Sequence, residues 1–126
     1  MDVSVLFITG RVLLGGLYVI GGVRHFGELD SLTEACRARG VPAPRLSLIL
    51  ASLFQIVAGL MLMLGILIPW AVLGLVAFTL VSSVVMLDFW NKPAEARGGM
   101  LNVWFSNLAL IGGLLIAAAQ SLAASV

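Results

Sequence analysis

Residues 46–68 read LSLILASLFQIVAGLMLMLGILI, an apolar run without a charged side chain. A helix rises about 1.5 Å per residue, so about 20 residues cross the ~30 Å hydrocarbon core of a bilayer. In lipid the backbone groups of a segment must satisfy one another's hydrogen bonds, and a single segment does this only as a helix. The run therefore predicts a membrane-spanning helix.

Further apolar runs of similar length occupy 3–23, 70–90 and 101–122. A tight turn is predicted at Ile68–Pro69, and short turns favour antiparallel neighbours. The sequence thus predicts an all-α fold, an integral membrane up-down four-helix bundle that forms a single transmembrane domain over 1–126. A short interfacial helix is predicted at 31–39, between the first two spans, where Gly40 ends it.

The composition fits a chain that is surrounded by lipid. The chain is 61% hydrophobic and 10% charged, with a mean hydropathy of +1.14, whereas ordinary globular domains carry about 25% charged residues. A net charge of +1 gives no case for a nucleic-acid partner. The single cysteine, Cys36, excludes an internal disulfide and a CxxC dithiol.

The charged residues indicate an orientation. The connections 24–45 and 91–100 lie on one side of the predicted bundle, and they carry Arg24, Arg37, Arg39, Arg45, Lys92 and Arg97. The other side, with both termini, carries no Lys or Arg apart from Arg11 within the first span. The positive-inside rule therefore predicts cytoplasmic connections 24–45 and 91–100, with both termini outside.

Arg11 is predicted to lie near the middle of the hydrocarbon, where a guanidinium costs about 2.5 kcal/mol or more. Asp88 is too far along the bundle axis to neutralise it, and Gln55 and Thr79 are predicted at a similar depth. Two alternatives follow. Arg11 snorkels to the outer face or caps carbonyl groups, or it binds an anionic or carbonyl-bearing ligand such as a quinone head group or a lipid phosphate.

Each predicted span has a stripe of small and polar residues, and four such stripes facing inward would form the bundle interior. The polar members expected to line a ligand site with Arg11 are Tyr18, Gln55, Thr79 and Asn107. The alternative is that the stripes serve tight helix packing alone.

A second polar group is predicted at the cytoplasmic mouth of the bundle and comprises Arg24, His25, Asp88 and Asn102. If His25 and Asp88 touch, the pair could relay protons or orient a bound head group. The alternative is an ordinary interfacial polar ring. No metal site is predicted, because one histidine cannot make a metal site alone.

The order of these features resembles the DoxX family of small four-helix bacterial membrane proteins. The resemblance rests on segments spread along nearly the whole chain: Gly10–Gly15, Gly21–Phe26, Gly40–Pro44, Gly59–Gly65, Asp88–Trp90 and Asn107–Gly113. It implies a multi-pass protein of the bacterial cytoplasmic (inner) membrane. The family often has an acid where Gln55 stands and a histidine where Leu87 stands, which weakens a claim of proton-coupled chemistry.

The resemblance further implies a membrane component of a quinone-linked oxidoreductase system, catalytic or accessory, with no intrinsic cofactor and a quinone-like or lipid-like ligand in the bundle. The expected partners are the lipid bilayer and a protein of a redox complex or further copies of the chain. One alternative is a non-catalytic scaffold or assembly subunit of a larger complex. A small-molecule exporter is a further alternative, although exporters of this size depend on a buried glutamate in a first helix that here contains Arg11.

Overall fold

The computed structural model describes residues 2–124, and this part of the chain is helical without strands. The helices are α1 (Val3–Gly27), α2 (Leu29–Ala38), α3 (Pro44–Leu64), α4 (Ile68–Met86) and α5 (Ala94–Ala124), with a 3₁₀ turn at Phe89–Asn91. The single domain predicted over 1–126 extends to Met1, Ser125 and Val126, which lie outside the described residues.

Four of these helices, α1, α3, α4 and α5, are long and apolar enough to cross a membrane. The short α2 lies between α1 and α3 and packs mainly against α3. The all-α class with four spanning helices and a short helix between the first two is therefore confirmed. We call the end of the bundle with the Gly65–Leu67 turn the turn end, and the end with α2 and the connection 87–93 the charged end.

Two helix boundaries differ from the predictions because of proline. The turn predicted at Ile68–Pro69 lies instead at Gly65–Leu67, and Pro69 falls in the first turn of α4. Proline suits that place, because the first N–H groups of a helix have no partner within it. Likewise α5 begins directly after Pro93, so Gly98 and Gly99 are helical and the predicted connection 91–100 is shorter.

The third span also ends earlier than predicted, at Met86, so Asp88 is outside the helix. Leu87 caps α4, and its carbonyl accepts a hydrogen bond from Trp104 Nε1 on α5 at 2.8 Å. This bond satisfies a carbonyl that the end of the helix leaves without a helical partner.

The closest helix contact joins α1 to α3 through glycines. A Cβ atom added at Gly15 would overlap the carbonyl oxygen of Gly59, and one added at Gly22 would lie 3.0 Å from the carbonyl oxygen of Ser52. Small residues let two helix backbones approach closely. In lipid the hydrophobic effect does not bring helices together, so their association depends on such close packing.

The apolar core lies in the half of the bundle near the turn end. It consists of the buried side chains Tyr18, Ala58, Leu62, Ile68, Val72, Leu75, Leu114 and Ala117. Apart from Tyr18, which lies near the middle of α1 and also lines the cavity described below, these residues come from the half of each helix nearer the Gly65–Leu67 turn. The other half of the bundle, toward the charged end, is packed differently and contains a large cavity.

Candidate ligand cavity

A cavity of about 910 Å³ occupies the half of the bundle toward the charged end. Side chains from all five helices line it, and most of them are apolar. Its polar lining includes Tyr18, His25, Gln55, Thr79 and Asn107. The volume falls in the range of about 300–1,000 Å³ that is typical of pockets for small ligands.

A connected polar cluster separates the cavity from the apolar core, and we call it the floor: Tyr18, Gln55 and Thr79. Tyr18 Oη and Thr79 Oγ1 lie 2.7 Å apart, and Thr79 Oγ1 donates to the carbonyl of Leu75 at 2.7 Å. Gln55 Nε2 donates to the carbonyl of Tyr18 at 2.9 Å. The floor thus joins α1, α3 and α4 at one depth.

The walls carry two further polar pairs. His25 Nδ1 on α1 lies 2.9 Å from Ser52 Oγ on α3, and Asn107 Nδ2 on α5 donates to Ser83 Oγ on α4 at 2.8 Å. Both His25 and Asn107 line the cavity. An imidazole ring and a side-chain amide can each donate or accept, so these walls can serve either kind of ligand group.

The cavity is covered at the charged end and open on one side of the bundle. Leu32 and Cys36 of α2 line it, so the short helix covers it at the charged end. Phe54 on α3 and Val81 on α4 also line it, yet they are 43% and 64% exposed on the lipid-facing surface. The cavity is therefore open toward the hydrocarbon between α3 and α4.

Arg11 does not belong to this cavity. Its guanidinium packs against Gly65 at the turn end, beside the C-terminus of α3. Arg11 precedes Tyr18 by seven residues, or about 10 Å along the helix, and helical side chains lean toward the helix N-terminus, away from the floor. Gln55 and Thr79 bond at the height of Tyr18, so the prediction that they lie at the depth of Arg11 was wrong. The snorkelling or capping alternative stays a prediction.

The predicted mouth residues do not form one cluster. His25 bonds to Ser52, while Asp88 Oδ1 lies 3.3 Å from Arg39 NH2 and Asp88 Oδ2 lies 3.8 Å from Lys92 Nζ. No ion pair joins His25 to Asp88 within residues 2–124. The side chains that we also placed there, Arg24 and Asn102, are exposed.

The sequence model of the DoxX family matches residues 6–88, about two thirds of the chain. The chain belongs to the DoxX family. The match covers α1 to α4 and with them the whole floor of the cavity, whereas Asn107 lies beyond it.

Relatives of this DoxX protein agree with a membrane location. It is 28% identical to the inner membrane protein YphA of Escherichia coli (strain K12) over 116 residues, which cover 90% of this chain and 81% of that protein. It is 36% identical to a protoheme IX farnesyltransferase of Methylobacterium nodulans over 72 residues, 56% of this chain but only 23% of that enzyme. No solved structure gives a significant match.

Four spanning helices and an inner membrane relative make this DoxX protein a multi-pass protein of the bacterial inner membrane. Three features near the cavity were not recognised from its sequence: the bond between His25 and Ser52, the bond that Asn107 donates to Ser83, and the ion pair of Arg39 with Asp88. Each joins residues far apart in the chain. A lone serine in an apolar run indicates close packing and does not reveal its partner.

We expect Asp88→Asn to lower the free energy of unfolding of this DoxX protein by about 2 kcal/mol, because it leaves a mostly buried guanidinium without its counter-charge. The Arg39 and Asp88 side chains are only 19% and 15% exposed. The matched control is Asp30→Asn, because Asp30 pairs with Arg45 at 3.1 Å with both side chains largely exposed. Exposed ion pairs contribute little to the free energy of unfolding. If both variants lost the same free energy of unfolding in detergent micelles, the result would contradict the expectation.

Proposed function

We propose that this DoxX protein binds a quinone-like molecule in the cavity and acts as a membrane component of a quinone-linked oxidoreductase system. The observation that carries the proposal is the form of the cavity, an apolar space of about 910 Å³ that ends on the polar floor formed by Tyr18, Gln55 and Thr79. Apolar walls with a few convergent polar groups are typical of sites for ligands of this kind.

The arrangement of the polar groups suits a flat ring that carries polar atoms on opposite sides. The floor and the walls offer hydrogen-bonding groups on several sides, from Gln55 on α3, His25 on α1 and Asn107 on α5. A quinone head group carries oxygen atoms on opposite sides of a flat ring, so more than one of these groups can bond it at once. Its apolar tail matches the remaining lining.

The opening between α3 and α4 supports a ligand that is dissolved in the membrane. Phe54 and Val81 line the cavity and also face the lipid, and Ala77 beside them is small and exposed. A lipophilic molecule could therefore enter from the hydrocarbon with its tail remaining in the gap. A water-soluble substrate would gain nothing from such an entrance.

The oxidoreductase role follows from the DoxX resemblance and from the chemistry of the ligand. A quinone carries two electrons itself, and the protein would contribute binding, orientation and electrostatics. The chain has a single cysteine and cannot form a dithiol of its own. A partner protein would therefore exchange electrons with the bound ligand.

The proposal is tested by titrating the purified protein in lipid nanodiscs with a short-tailed benzoquinone, followed by quenching of tryptophan fluorescence. We expect saturable binding above the partition into empty nanodiscs. Because the guanidinium of Arg11 lies against Gly65 and away from the cavity, Arg11→Ala should change the dissociation constant by less than about twofold, or 0.4 kcal/mol. Non-saturable uptake equal to that of empty nanodiscs would contradict the proposal and favour a scaffold role.

A further inference from the structure

Two hydrogen bonds determine which groups of Tyr18 and Thr79 remain free to bond a ligand. The Thr79 hydroxyl donates to the carbonyl of Leu75 at 2.7 Å, and a carbonyl oxygen can only accept. The hydrogen of Thr79 is thus committed, so Tyr18 must donate in its 2.7 Å bond to Thr79 Oγ1. The Tyr18 oxygen then has only lone pairs left to offer.

Gln55 adds a second free acceptor, beside one N–H of its amide that is not used in the bond to Tyr18. Its amide faces the carbonyl of Tyr18 at 2.9 Å, and because that carbonyl only accepts, the nitrogen atom and not Oε1 must point to it. Gln55 Oε1 is left buried without a hydrogen-bond partner among residues 2–124, on a side chain that is only 6% exposed. A buried acceptor without a partner is unfavourable.

Gln55 lines the cavity, and the terminal torsion of a glutamine side chain is soft. Rotation of the amide about this torsion can bring the buried Oε1 to a ligand that supplies a hydrogen, at the expense of the bond from Nε2 to the Tyr18 carbonyl. The walls do not discriminate in this way, because His25 and Asn107 can either donate or accept. The choice between ligands is made at the floor.

We infer that the floor selects the hydroxyl-bearing, reduced form of a quinone-type ligand, the hydroquinone, over the quinone. This inference rests on the proposed function and names the form that binds. A hydroquinone hydroxyl donates to Gln55 Oε1 or to the Tyr18 oxygen. A quinone carbonyl has no hydrogen to give, so it leaves Gln55 Oε1 without a partner even where it accepts from the second N–H of Gln55 Nε2. Sites built to bond a hydroxyl group discriminate strongly against analogues that lack it.

The test compares three ligands on the same ring, each in nanodiscs under argon: the short-tailed benzoquinone, its hydroquinone and the dimethyl ether of that hydroquinone. We expect the hydroquinone to bind about tenfold more tightly than either of the others, since neither has a hydrogen to donate. The midpoint potential of the bound couple should then lie about 30 mV above that of the free couple, because tighter binding of the reduced form stabilises it.

Two variants separate this effect from general damage to the site. Gln55→Met keeps the length of the side chain and removes the acceptor, so the preference should fall to about twofold or less. Thr79→Val keeps the shape and frees the Tyr18 hydroxyl hydrogen, so the quinone should bind more tightly than it binds to the wild type. A merely structural role of Thr79 would weaken all three ligands alike.

The outcomes of the test are distinct. A preference for the hydroquinone that Gln55→Met removes supports the inference. Equal affinities, or tighter binding of the quinone, overturn it and leave the proposed function standing. Absence of saturable binding for all three ligands overturns both.

Discussion

Gly15→Ala should lower the free energy of unfolding by about 2 kcal/mol, as is typical when an atom is forced into a well-packed interface. The added Cβ would overlap the carbonyl oxygen of Gly59 and lie 2.6 Å from Met63 Cγ. The Met63 side chain can move, but the Gly59 oxygen is part of the backbone of α3. Helices α1 and α3 would have to separate, and with them the bond from Gln55 to the carbonyl of Tyr18 would lengthen.

The matched control is Gly16→Ala, one residue further along α1. A Cβ at Gly16 would have no atom of another helix within 4 Å in the described part of the chain. Both substitutions gain about 1 kcal/mol of helix propensity, so the difference between them isolates the contact with α3. Unfolding in mixed detergent and dodecyl sulfate micelles, followed by circular dichroism, measures both. Equal stabilities would show that α1 and α3 do not approach at Gly15.

Ser82→Trp should weaken binding of the quinone-type ligand by about 100-fold, or 2.8 kcal/mol. Ser82 lines the cavity, and its hydroxyl donates only a 3.3 Å bond to the carbonyl of Thr79. Long helical side chains fold back over the preceding turn, so the indole would cover Phe78 and Thr79. It would occupy the space next to the floor that the proposed head group needs.

Val84→Trp is the control on the same turn of α4. Val84 is 51% exposed to lipid, so an indole there adds similar bulk outside the cavity. The nanodisc titration should give a dissociation constant within about threefold of that of the wild type, or 0.7 kcal/mol. If Ser82→Trp, with an unchanged unfolding midpoint, binds as well as Val84→Trp, the ligand lies elsewhere in the protein.

The sequence predicted four polar residues of the cavity lining and grouped them with Arg11, which the structure places at the turn end. Tyr18, Gln55, Thr79 and Asn107 were predicted to face inward, and all four line the cavity. Their role in ligand binding stays a prediction. Arg11 was predicted among them from its depth alone, but depth does not tell which way a long side chain extends.

The condition that His25 and Asp88 touch is not met among residues 2–124, for a related reason. Both lie toward the charged end, yet His25 bonds to Ser52 on α3, and Asp88 bonds to Arg39 after α2. Sequence spacing gives the height of a residue in the bundle. It does not give the rotation of each helix about its axis or the place where α2 settles. The orientation predicted from charge, with the connections in the cytoplasm, also stays a prediction.

The sequence by itself determined that the protein lies in lipid, the number of its spanning helices and the short helix between the first two. These depend on the local fact that a long apolar segment in lipid must satisfy its own backbone. Only the tertiary structure decided which polar groups meet, because the floor joins residues from three helices, and the relative rotation of these helices comes from packing such as the glycine contact of α1 with α3. Hydrogen bonds between side chains depend on distances of tenths of an ångström, which a pattern of residues cannot encode.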